Sequence, residues 1–295
     1  MTKNMTDLVQ EITGRALYIG IVLALMAMFL ILANDAAFGQ EGPPIALQGS
    51  LLDNAQFKGQ LWSYTGTFSP LERNNVLSNT YAEQTVSLFS TWNSSLDITP
   101  YAAIGFSFDT KGNPWNRSIQ PSFGVKANKF FRHGVISTGV AYSYQDRFGT
   151  TSANGGTNYI LDWFGWSPIG DKRSRFPGST WAVVGHTAPV EQGNLIAQTY
   201  LTQGYVLRRF DRSALIPYGE ITYSRDTKKF DWENKILEGA GVKYGMPMGE
   251  LYVDVGAGYM HEQRFESNRS GGGAKIFMDI SYAWGNLFGR KDERE

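Results

Sequence analysis

Few residues in this sequence could carry nucleophilic or acid–base chemistry. The chain has three histidines, His133, His186 and His261, and it has no cysteine. A membrane-bound or soluble serine hydrolase needs a serine beside an activating histidine. His186 is followed by Thr187-Ala188-Pro189, so serine is missing at that spacing, and His133 lies in a stretch typical of a turn. We therefore expect no serine hydrolase.

A second possible site combines histidine with carboxylates. His261-Glu262, Asp146 and Asp226 each begin a polar stretch, and such groups gathered at one rim could activate water. The interpretation we favour is a set of hydrated loop edges. The sequence shows no metal-ligand spacing and no Gly-rich phosphate loop. We expect no enzyme activity and no metal or cofactor, with a hydrolase as the remaining alternative.

Composition narrows the class of protein. The chain has 295 residues, with 27 basic and 27 acidic side chains, so its formal net charge is zero. No global field attracts it to nucleic acid, which we exclude as a partner. Glycine (33), tyrosine (15), tryptophan (8) and phenylalanine (18) are abundant. This composition is typical of a β protein whose aromatic residues lie at an interface.

The N-terminal segment predicts export. Residues 16–33 are uncharged and apolar, Lys3 and Arg15 precede them, and Ala37-Phe38-Gly39 offers a small-x-small cleavage site before Gln40. These three features together indicate a secretory signal over 1–39. The alternative is a retained transmembrane helix, because the apolar run is just long enough to span a bilayer. Either alternative places the remainder of the chain outside the cytoplasm.

The rest of the chain repeats with period two, which turns successive side chains to opposite faces of a strand. In Ile98–Phe108 the even positions are mostly large and apolar, whereas the odd positions are mostly small or polar. The same alternation occurs at 119–127, 136–144, 215–224, 239–246, 251–259 and 275–284. A face so rich in small residues suits a crowded barrel interior better than the outside of a soluble sandwich.

Weaker segments complete the predicted barrel. They lie near 57–67, 81–92, 158–166, 180–187 and 195–207. The fold class is therefore all-β, a transmembrane antiparallel up-and-down barrel of about 12 strands after an N-terminal signal helix. We expect a periplasmic lead at 40–55, a barrel at 56–288 and a charged tail at 289–295. Longer outer loops are expected at 69–80, 109–118, 145–157, 188–194, 225–234 and 261–271, and the 167–179 turn is unusually long for the periplasmic side.

The alternation also predicts which polar residues line the lumen. The charged candidates are Glu83, Lys126, Asp162, Glu220, Lys243, Asp254, Lys275 and Asp279. The aromatic candidates are Tyr101, Tyr200, Tyr218 and Tyr252, which could stack on sugar rings or simply fill the lumen. Desolvated charges need partners. The charged set could form ion pairs that plug the barrel, or it could line a hydrated path.

Two hairpins resemble a known group of proteins. Residues 120–146 (QPSFGVKANKFFRHGVISTGVAYSYQD) and 218–244 (YGEITYSRDTKKFDWENKILEGAGVKY) look like hairpins in the C-terminal barrels of exopolysaccharide-secretion and phage-adsorption outer-membrane proteins. The resemblance covers about a third of the chain. It implies an outer-membrane barrel, and it assigns no functional residue. The long periplasmic helical region of those proteins has no counterpart in this sequence.

Three functions follow as hypotheses. The first is a bacterial outer-membrane channel for small polar solutes or for export of a polysaccharide. The second is a non-conducting structural or receptor barrel whose outer loops bind a partner. The third is a hydrolase at the barrel rim. The expected partners are outer-membrane lipid, the barrel-assembly machinery (which could read Trp284 or Phe288 near the C-terminus), and a polysaccharide or a periplasmic export component.

Overall fold

The computed structural model describes residues 56–67, 69–72, 74–87, 96–131, 134–151, 153–166, 175–185, 191, 193–248 and 251–284. The predicted signal segment 1–39, the lead 40–55 and the tail 289–295 lie outside these ranges, as do His133, His186 and Phe288. Within the described ranges, no helix has the length and hydropathy needed to cross a bilayer.

Period-two segments in the sequence form long antiparallel strands. The strands are β1 (Gln56–Thr67), β2 (Val76–Ser87), β3 (Leu96–Asp109), β4 (Ser118–Phe131), β5 (Gly134–Arg147), β6 (Ala153–Trp166), β7 (Gly178–Gly185), β8 (Ile196–Gly204), β9 (Arg208–Phe210), β10 (Ser213–Asp226), β11 (Lys235–Met248), β12 (Leu251–Arg264) and β13 (Ser270–Trp284). A single turn of 3₁₀ helix, Pro114–Asn116, lies between β3 and β4.

The sheet closes on itself. Strands adjacent in the chain pair with each other, except that β8 and β9 both pair with β10. β1 pairs with β13 from Gly59 opposite Trp284 to Gly66 opposite Phe277. This closing pair removes both free edges, as a barrel in a bilayer requires. The predicted all-β up-and-down barrel is confirmed.

The strand count depends on how β8 and β9 are treated. Both pair with β10, and the backbone N–H groups of Tyr205 and Leu207 continue the ladder by donating to Pro217 and Leu215. Gly204 lies opposite Tyr218 and Arg208 lies opposite Leu215, so this side holds one extra residue. A single extra residue is a β-bulge. β8 and β9 are therefore two parts of one wall strand, and the barrel has the predicted twelve.

The apolar residues lie on the outer face of the wall. Phe123, Tyr159 and Ile276 are 63%, 63% and 64% exposed, and they alternate along their strands with buried or half-buried residues. A surface this apolar around a closed wall is not stable in water but matches the hydrocarbon of a bilayer. The chain is a transmembrane β-barrel of the outer-membrane type.

The second strand corrects the sequence prediction. It was expected near 81–92, but it runs from Val76 to Ser87, so 76–80 is strand and not loop. Outward-facing hydroxyl groups hid the alternation here. Ser78 pairs with Thr65, and Thr80 pairs with Ser63, each at 2.9 Å, so these groups are satisfied on the outer face.

Five of the six predicted outer loops were too long, whereas the predicted loop 188–194 lies within the longer connection 186–195. The strands extend to Arg147, Asp226 and Arg264, which leaves connections of a few residues at that end of the barrel. We call this end, opposite the start of β1 and the end of β13, the loop end. Its connections are 68–75, 110–117, 148–152, 186–195, 227–234 and 265–269. The 167–179 turn was predicted long, and β7 begins at Gly178, but 167–174 lies outside the described residues.

A charge placed on the outer face should destabilise the barrel. Val125 lies near the middle of β4 and is 45% exposed. We expect Val125→Arg to lower the free energy of unfolding by ~2–4 kcal/mol, because it puts a cation in the bilayer midplane. Urea titration of the protein in lipid vesicles measures this loss. Thr151→Arg, in an exposed loop, should change stability by less than ~0.5 kcal/mol. Equal losses would contradict the outward assignment.

Candidate functional site: the charged lumen

The eight charged residues assigned to the lumen are buried or half-buried. Among them Glu83, Lys126, Asp254 and Lys275 are buried, whereas Asp162, Glu220, Lys243 and Asp279 are half-buried. The aromatic candidates behave similarly: Tyr101 and Tyr218 are buried, and Tyr200 and Tyr252 are half-buried. Whether they line a solute path stays a prediction.

Ion pairs between strands that are not neighbours show that these side chains point inward. Lys126 on β4 is 2.5 Å from Glu83 on β2, with β3 between them. Lys275 on β13 pairs with Glu220 on β10, with β11 and β12 between them. In a closed barrel such partners meet only through the interior.

One group of residues, the first wall cluster, is built on β2 to β6. It contains Tyr81, Glu83, Tyr101, Lys126 and Asp162. The Glu83 carboxylate accepts a hydrogen bond from the Tyr81 hydroxyl and pairs with Lys126. The Lys126 ammonium also lies 4.2 Å from the centroid of the Tyr101 ring, a cation–π distance. Asp162 is opposite Ser137 in the β5–β6 ladder and accepts its hydrogen bond.

The second wall cluster is built on β8 to β13. Its members are Tyr200, Tyr218, Glu220, Lys243, Tyr252, Asp254, Lys275 and Asp279. Lys243 lies 2.6 Å from Asp254, and Tyr200 donates a 3.1 Å hydrogen bond to Glu220, which also pairs with Lys275. Tyr252 is hydrogen-bonded to Asp254. Asp279 lies opposite Asp254 in the β12–β13 ladder, so two like charges face each other beside Lys243.

The two clusters are separate. Among the described residues, no ion pair or hydrogen bond joins a member of one cluster to a member of the other. The ion pairs therefore stay within each cluster and do not join one cluster to the other. Together the eight charged residues comprise three lysines, Lys126, Lys243 and Lys275, against five carboxylates. The interior is thus moderately negative.

Glycines on the neighbouring strand give the lysine stems room to lie along the wall. Gly139 is opposite Lys126, and Gly256 is opposite Lys243. A Cβ at Gly139 would come within 3.1 Å of the Lys126 Cγ, and one at Gly256 would come within 3.0 Å of the Lys243 Cβ. Small residues at these positions therefore allow each ammonium group to reach a carboxylate or a tyrosine ring.

At the loop end, a ring of contacts joins successive connections, and we call this ring the rim belt. Arg264 contributes three ion pairs to it: Arg264 lies 2.7 Å from Glu262, 3.4 Å from Glu72 and 3.6 Å from Asp231. Glu262 is fully buried and accepts a hydrogen bond from Ser69. Elsewhere in the belt the connections are joined by Asn75 to Asp109, Phe148 to Arg117, Arg147 to Glu191, Thr227 to Leu195 and Phe265 to Asn234.

Asp231 illustrates the electrostatics of the belt. Burial alone would raise the pKa of Asp231, but hydrogen bonds from Ser267 and the charge of Arg264 outweigh it, so the pKa lies below its usual value. A carboxylate with a lowered pKa stabilises the folded state above its unfolded pKa. That contribution is lost as the pH falls through the lowered pKa.

The residues considered for hydrolysis are not assembled into one site. His261 and Glu262 are adjacent in β12 and therefore point to opposite faces of the wall. His261 lies 3.5 Å from the exposed Glu238 on the outer face, whereas Glu262 is buried beside Arg264. Asp226 accepts hydrogen bonds from Asn234 and the Phe230 backbone. In the described ranges no group of three metal-ligating side chains occurs.

Several interior residues were missed by sequence reasoning. Tyr81 was placed at a strand start, and Glu262 and Arg264 were assigned to a loop, yet all three face inward. Continuing the even-numbered inward face of β12 from Asp254 would have found Glu262 and Arg264. At the opposite end, Lys58 lies 3.7 Å from Asp97, which also accepts a 2.7 Å hydrogen bond from Ser87. Lys58 and Asp97 lie outside the clearly alternating apolar segments of the sequence, so periodicity did not predict this pair.

Comparison with known proteins finds only distant structural likenesses. No protein-family model and no curated protein match the chain. The β domain of the Bordetella autotransporter BrkA is similar at 12% identity, 77% coverage of this chain, 98% of that chain and a TM-score of 0.41. An outer-membrane channel from Pseudomonas putida F1 gives 8% identity, 83% and 100% coverage and 0.41. A bacterial polysaccharide outer-membrane secretin gives 10% identity, 78% and 98% coverage and 0.38.

These solved structures are outer-membrane proteins, in agreement with the expected resemblance, and the class of this chain follows from its own closed wall and apolar outer face. Identities and scores this low say nothing about solute, partner or the role of any residue.

Removing one partner of a wall ion pair should be costly. We expect Lys126→Met to lower the free energy of unfolding by ~3–5 kcal/mol, because it leaves the Glu83 carboxylate buried without a cation. Lys126→Met/Glu83→Gln should recover part of that loss. Urea titration in lipid vesicles measures both, and Lys111→Met, an exposed loop lysine, controls for charge. A double variant no more stable than Lys126→Met alone would argue against a direct pair.

The rim belt makes a similar prediction with an internal control. Arg264→Ala removes the ion-pair partner of the fully buried Glu262. The free energy of unfolding should therefore fall by ~3–5 kcal/mol. Arg225 pairs with Glu266 at 3.5 Å on the exposed surface, so Arg225→Ala should cost only ~0–1 kcal/mol. Thermal or urea unfolding of both variants in the same vesicles tests the difference. Equal losses would mean that the belt does not stabilise the loop end.

Proposed function

We propose that this barrel is a narrow channel of the bacterial outer membrane that passes polar solutes with a weak preference for cations. One observation carries the proposal. The charged side chains of the lumen pair along two walls, and among the described residues no pair bridges them. A plug would instead be held by contacts from wall to wall. The proposal thus develops the hydrated-path alternative, with ion pairing as the means of stabilising the walls.

The balance of charges in the lumen supports the proposed preference for cations. Five carboxylates against three lysines leave the interior with an excess of negative charge, and low-dielectric walls focus such a field. Most of the charges are neutralised by close partners, which keeps the preference weak. A neutral polar solute would meet hydrogen-bonding groups without a large electrostatic barrier.

The remaining parts of the proposal concern partners and chemistry. We propose outer-membrane lipid as the solvent around the apolar outer face and the barrel-assembly machinery as the route of insertion. We propose no enzymatic role, because His261 and Glu262 lie on opposite faces of the wall. Polysaccharide export, with a periplasmic export component as partner, is the more specific version that the hairpin resemblance implies.

A second candidate is a non-conducting receptor barrel. The rim belt favours it, because ion pairs and hydrogen bonds join successive connections around the loop end. A rim joined in this way is a suitable platform for a protein partner. The conductance measurement that tests the channel also separates these two functions.

The test is conductance of the purified full-length protein in planar bilayers under a KCl gradient. We expect discrete current steps and a reversal potential shifted modestly toward K⁺. Lys243→Met and Asp254→Asn each remove one partner of the same 2.6 Å pair, so they disturb the structure similarly. Lys243→Met should increase the cation preference, and Asp254→Asn should decrease it.

Lys111→Met provides the control, because it removes an equal charge from an exposed loop. It should leave the reversal potential unchanged. An absence of current steps in folded protein would refute the channel and favour the receptor barrel. Shifts of the same sign for Lys243→Met and Asp254→Asn would show that structural disturbance, not lumen charge, sets the selectivity.

A further inference from the structure

The two halves of the barrel repeat each other in sequence. We call β1–β6 the first unit and β7–β13 the second unit. Ser107-x-Asp109-Thr110-Lys111 recurs as Ser224-x-Asp226-Thr227-Lys228, and Gly124-Val125-Lys126 recurs as Gly241-Val242-Lys243. Further matching pairs are Gly59/Gly178, Trp62/Trp181, Gly66/Gly185, Asn75/Asn194, Tyr81/Tyr200, Pro100/Pro217, Tyr101/Tyr218, Tyr142/Tyr259, Arg147/Arg264, Phe148/Phe265 and Asp162/Asp279.

The strand registers repeat as well. Tyr101 is opposite Gly124 in the first unit, and Tyr218 is opposite Gly241 in the second. The same correspondence holds for Trp62 opposite Tyr81 and Trp181 opposite Tyr200, and for Lys126 opposite Gly139 and Lys243 opposite Gly256. Register is set by the pattern of residues along a strand. Equal registers therefore make the sequence repeat a structural one.

The two junctions between the units are also equivalent. Asp162 is opposite Val183 where β6 meets β7, and the matching Asp279 is opposite Tyr64 where β13 meets β1. At the rim, Arg147 of the first unit pairs with Glu191 of the second, and Arg264 of the second pairs with Glu72 of the first. Reciprocal contacts of this kind define a two-fold interface between identical subunits.

Hydrogen bonds at the rim also occur at matching positions in the two units. Phe148 donates its N–H to the Arg117 carbonyl, and Phe265 donates its N–H to the Asn234 carbonyl. Asn75 accepts hydrogen bonds from Thr110 and Lys111, just as Asn194 accepts them from Thr227 and Lys228. The barrel is therefore built as a covalently joined pair of six-stranded units.

The duplication extends to the lumen. Each unit presents two tyrosines, one lysine and one aspartate at matching inward positions. We call these sets stations. The first station is Tyr81, Tyr101, Lys126 and Asp162, and the second station is Tyr200, Tyr218, Lys243 and Asp279.

Beside each station lies a glutamate that occupies a different position in the two units but makes the same kinds of contact. Glu83 is directly opposite Ala103, whereas in the second unit the corresponding pair is Thr202 opposite Glu220. The carboxylate has thus moved across the ladder to the facing strand. It accepts a tyrosine hydroxyl and pairs with a lysine in both places, Tyr81 and Lys126 or Tyr200 and Lys275.

The aspartate of each station is the group available to a ligand. Within the described residues, neither Asp162 nor Asp279 has an ion-pair partner, although each lies on a wall that holds lysines. Asp162 accepts a hydrogen bond from Ser137, and Asp279 accepts one from Trp62. The Asp279 Oδ1 is buried and has no hydrogen-bond partner in the protein. A carboxylate has about four acceptor positions, so each aspartate can accept further donors.

We propose that these are two equivalent stations for a neutral oligosaccharide, each taking the hydroxyl groups of one sugar unit, one on each wall of the lumen. Paired sugar hydroxyls donate well to a carboxylate, and the nearby tyrosines offer ring faces and further hydrogen bonds. Repetition of the station suits a ligand that is itself made of repeated units. The proposal rests on the proposed channel function, for which it names the class of solute.

Block of the single-channel current by a neutral malto-oligosaccharide tests the proposal. Asp162→Asn and Asp279→Asn should each weaken the block by about tenfold, because a charge-assisted hydrogen bond becomes a weaker neutral one. The two effects should agree within about threefold, and the double variant should lose about the product of both. Asp211→Asn, in an exposed turn, should leave the block unchanged.

Isothermal titration of the folded barrel with the same oligosaccharide supplies a readout that needs no current. An effect of only one of the two asparagine variants, or of neither, would overturn the equivalent stations. A conducting channel that the sugar neither blocks nor binds would overturn them while leaving the channel intact. Sugar binding by a barrel that does not conduct would refute the channel alone. Asp162→Glu and Asp279→Glu, which retain the charge, should preserve most of the binding if the asparagine variants fold poorly.

Discussion

A closed wall between hydrocarbon and water is the constraint on which the rest of this structure depends. Closure by β1 and β13 pairs the backbone groups that would otherwise be exposed at two edges. Alternation then forces every second side chain inward. A charged residue that is turned into a narrow interior is stabilised by a partner, and Lys126, Lys243 and Lys275 each have a carboxylate. The polar lumen is thus a consequence of closure as much as of function.

The two-fold repeat explains how one chain closes its wall, because each unit forms half of the barrel. A six-stranded unit with two compatible edges can close a barrel by meeting a second copy of itself, and here the copies are joined in one chain. The reciprocal Arg147–Glu191 and Arg264–Glu72 pairs secure both junctions at the loop end. At two positions, divergence between the units changes the charge pattern. Lys275 has Asn158 as its counterpart and Asp254 has Ser137, so the second unit holds a lysine and a carboxylate that the first unit lacks at these positions.

Sequence reasoning could predict the parts of the fold that follow from periodicity. The alternation along β3, β4 and β13 predicted which of their residues face the lipid, and it assigned Lys126 and Asp279 to the interior. It failed at β2, where outward Ser78 and Thr80 are satisfied by cross-strand hydroxyls and so interrupt the apolar face. It also could not choose the partner of Lys275, because Glu220 is three strands away. The repeat was visible in the sequence, but comparison of the chain with itself was needed to find it.

Single-cysteine labelling tests the central claim, a lipid-facing exterior around a water-accessible polar lumen. The chain has no native cysteine, so each introduced thiol is unique. Ser122→Cys and Thr222→Cys place thiols on the inward faces of the two units, and Phe123→Cys and Ile221→Cys place them on the adjacent outward positions. In lipid vesicles, a membrane-impermeant thiol reagent should modify both inward thiols rapidly and leave both outward thiols unmodified. Equal modification of neighbouring positions, or faster modification of the outward ones, would contradict the account.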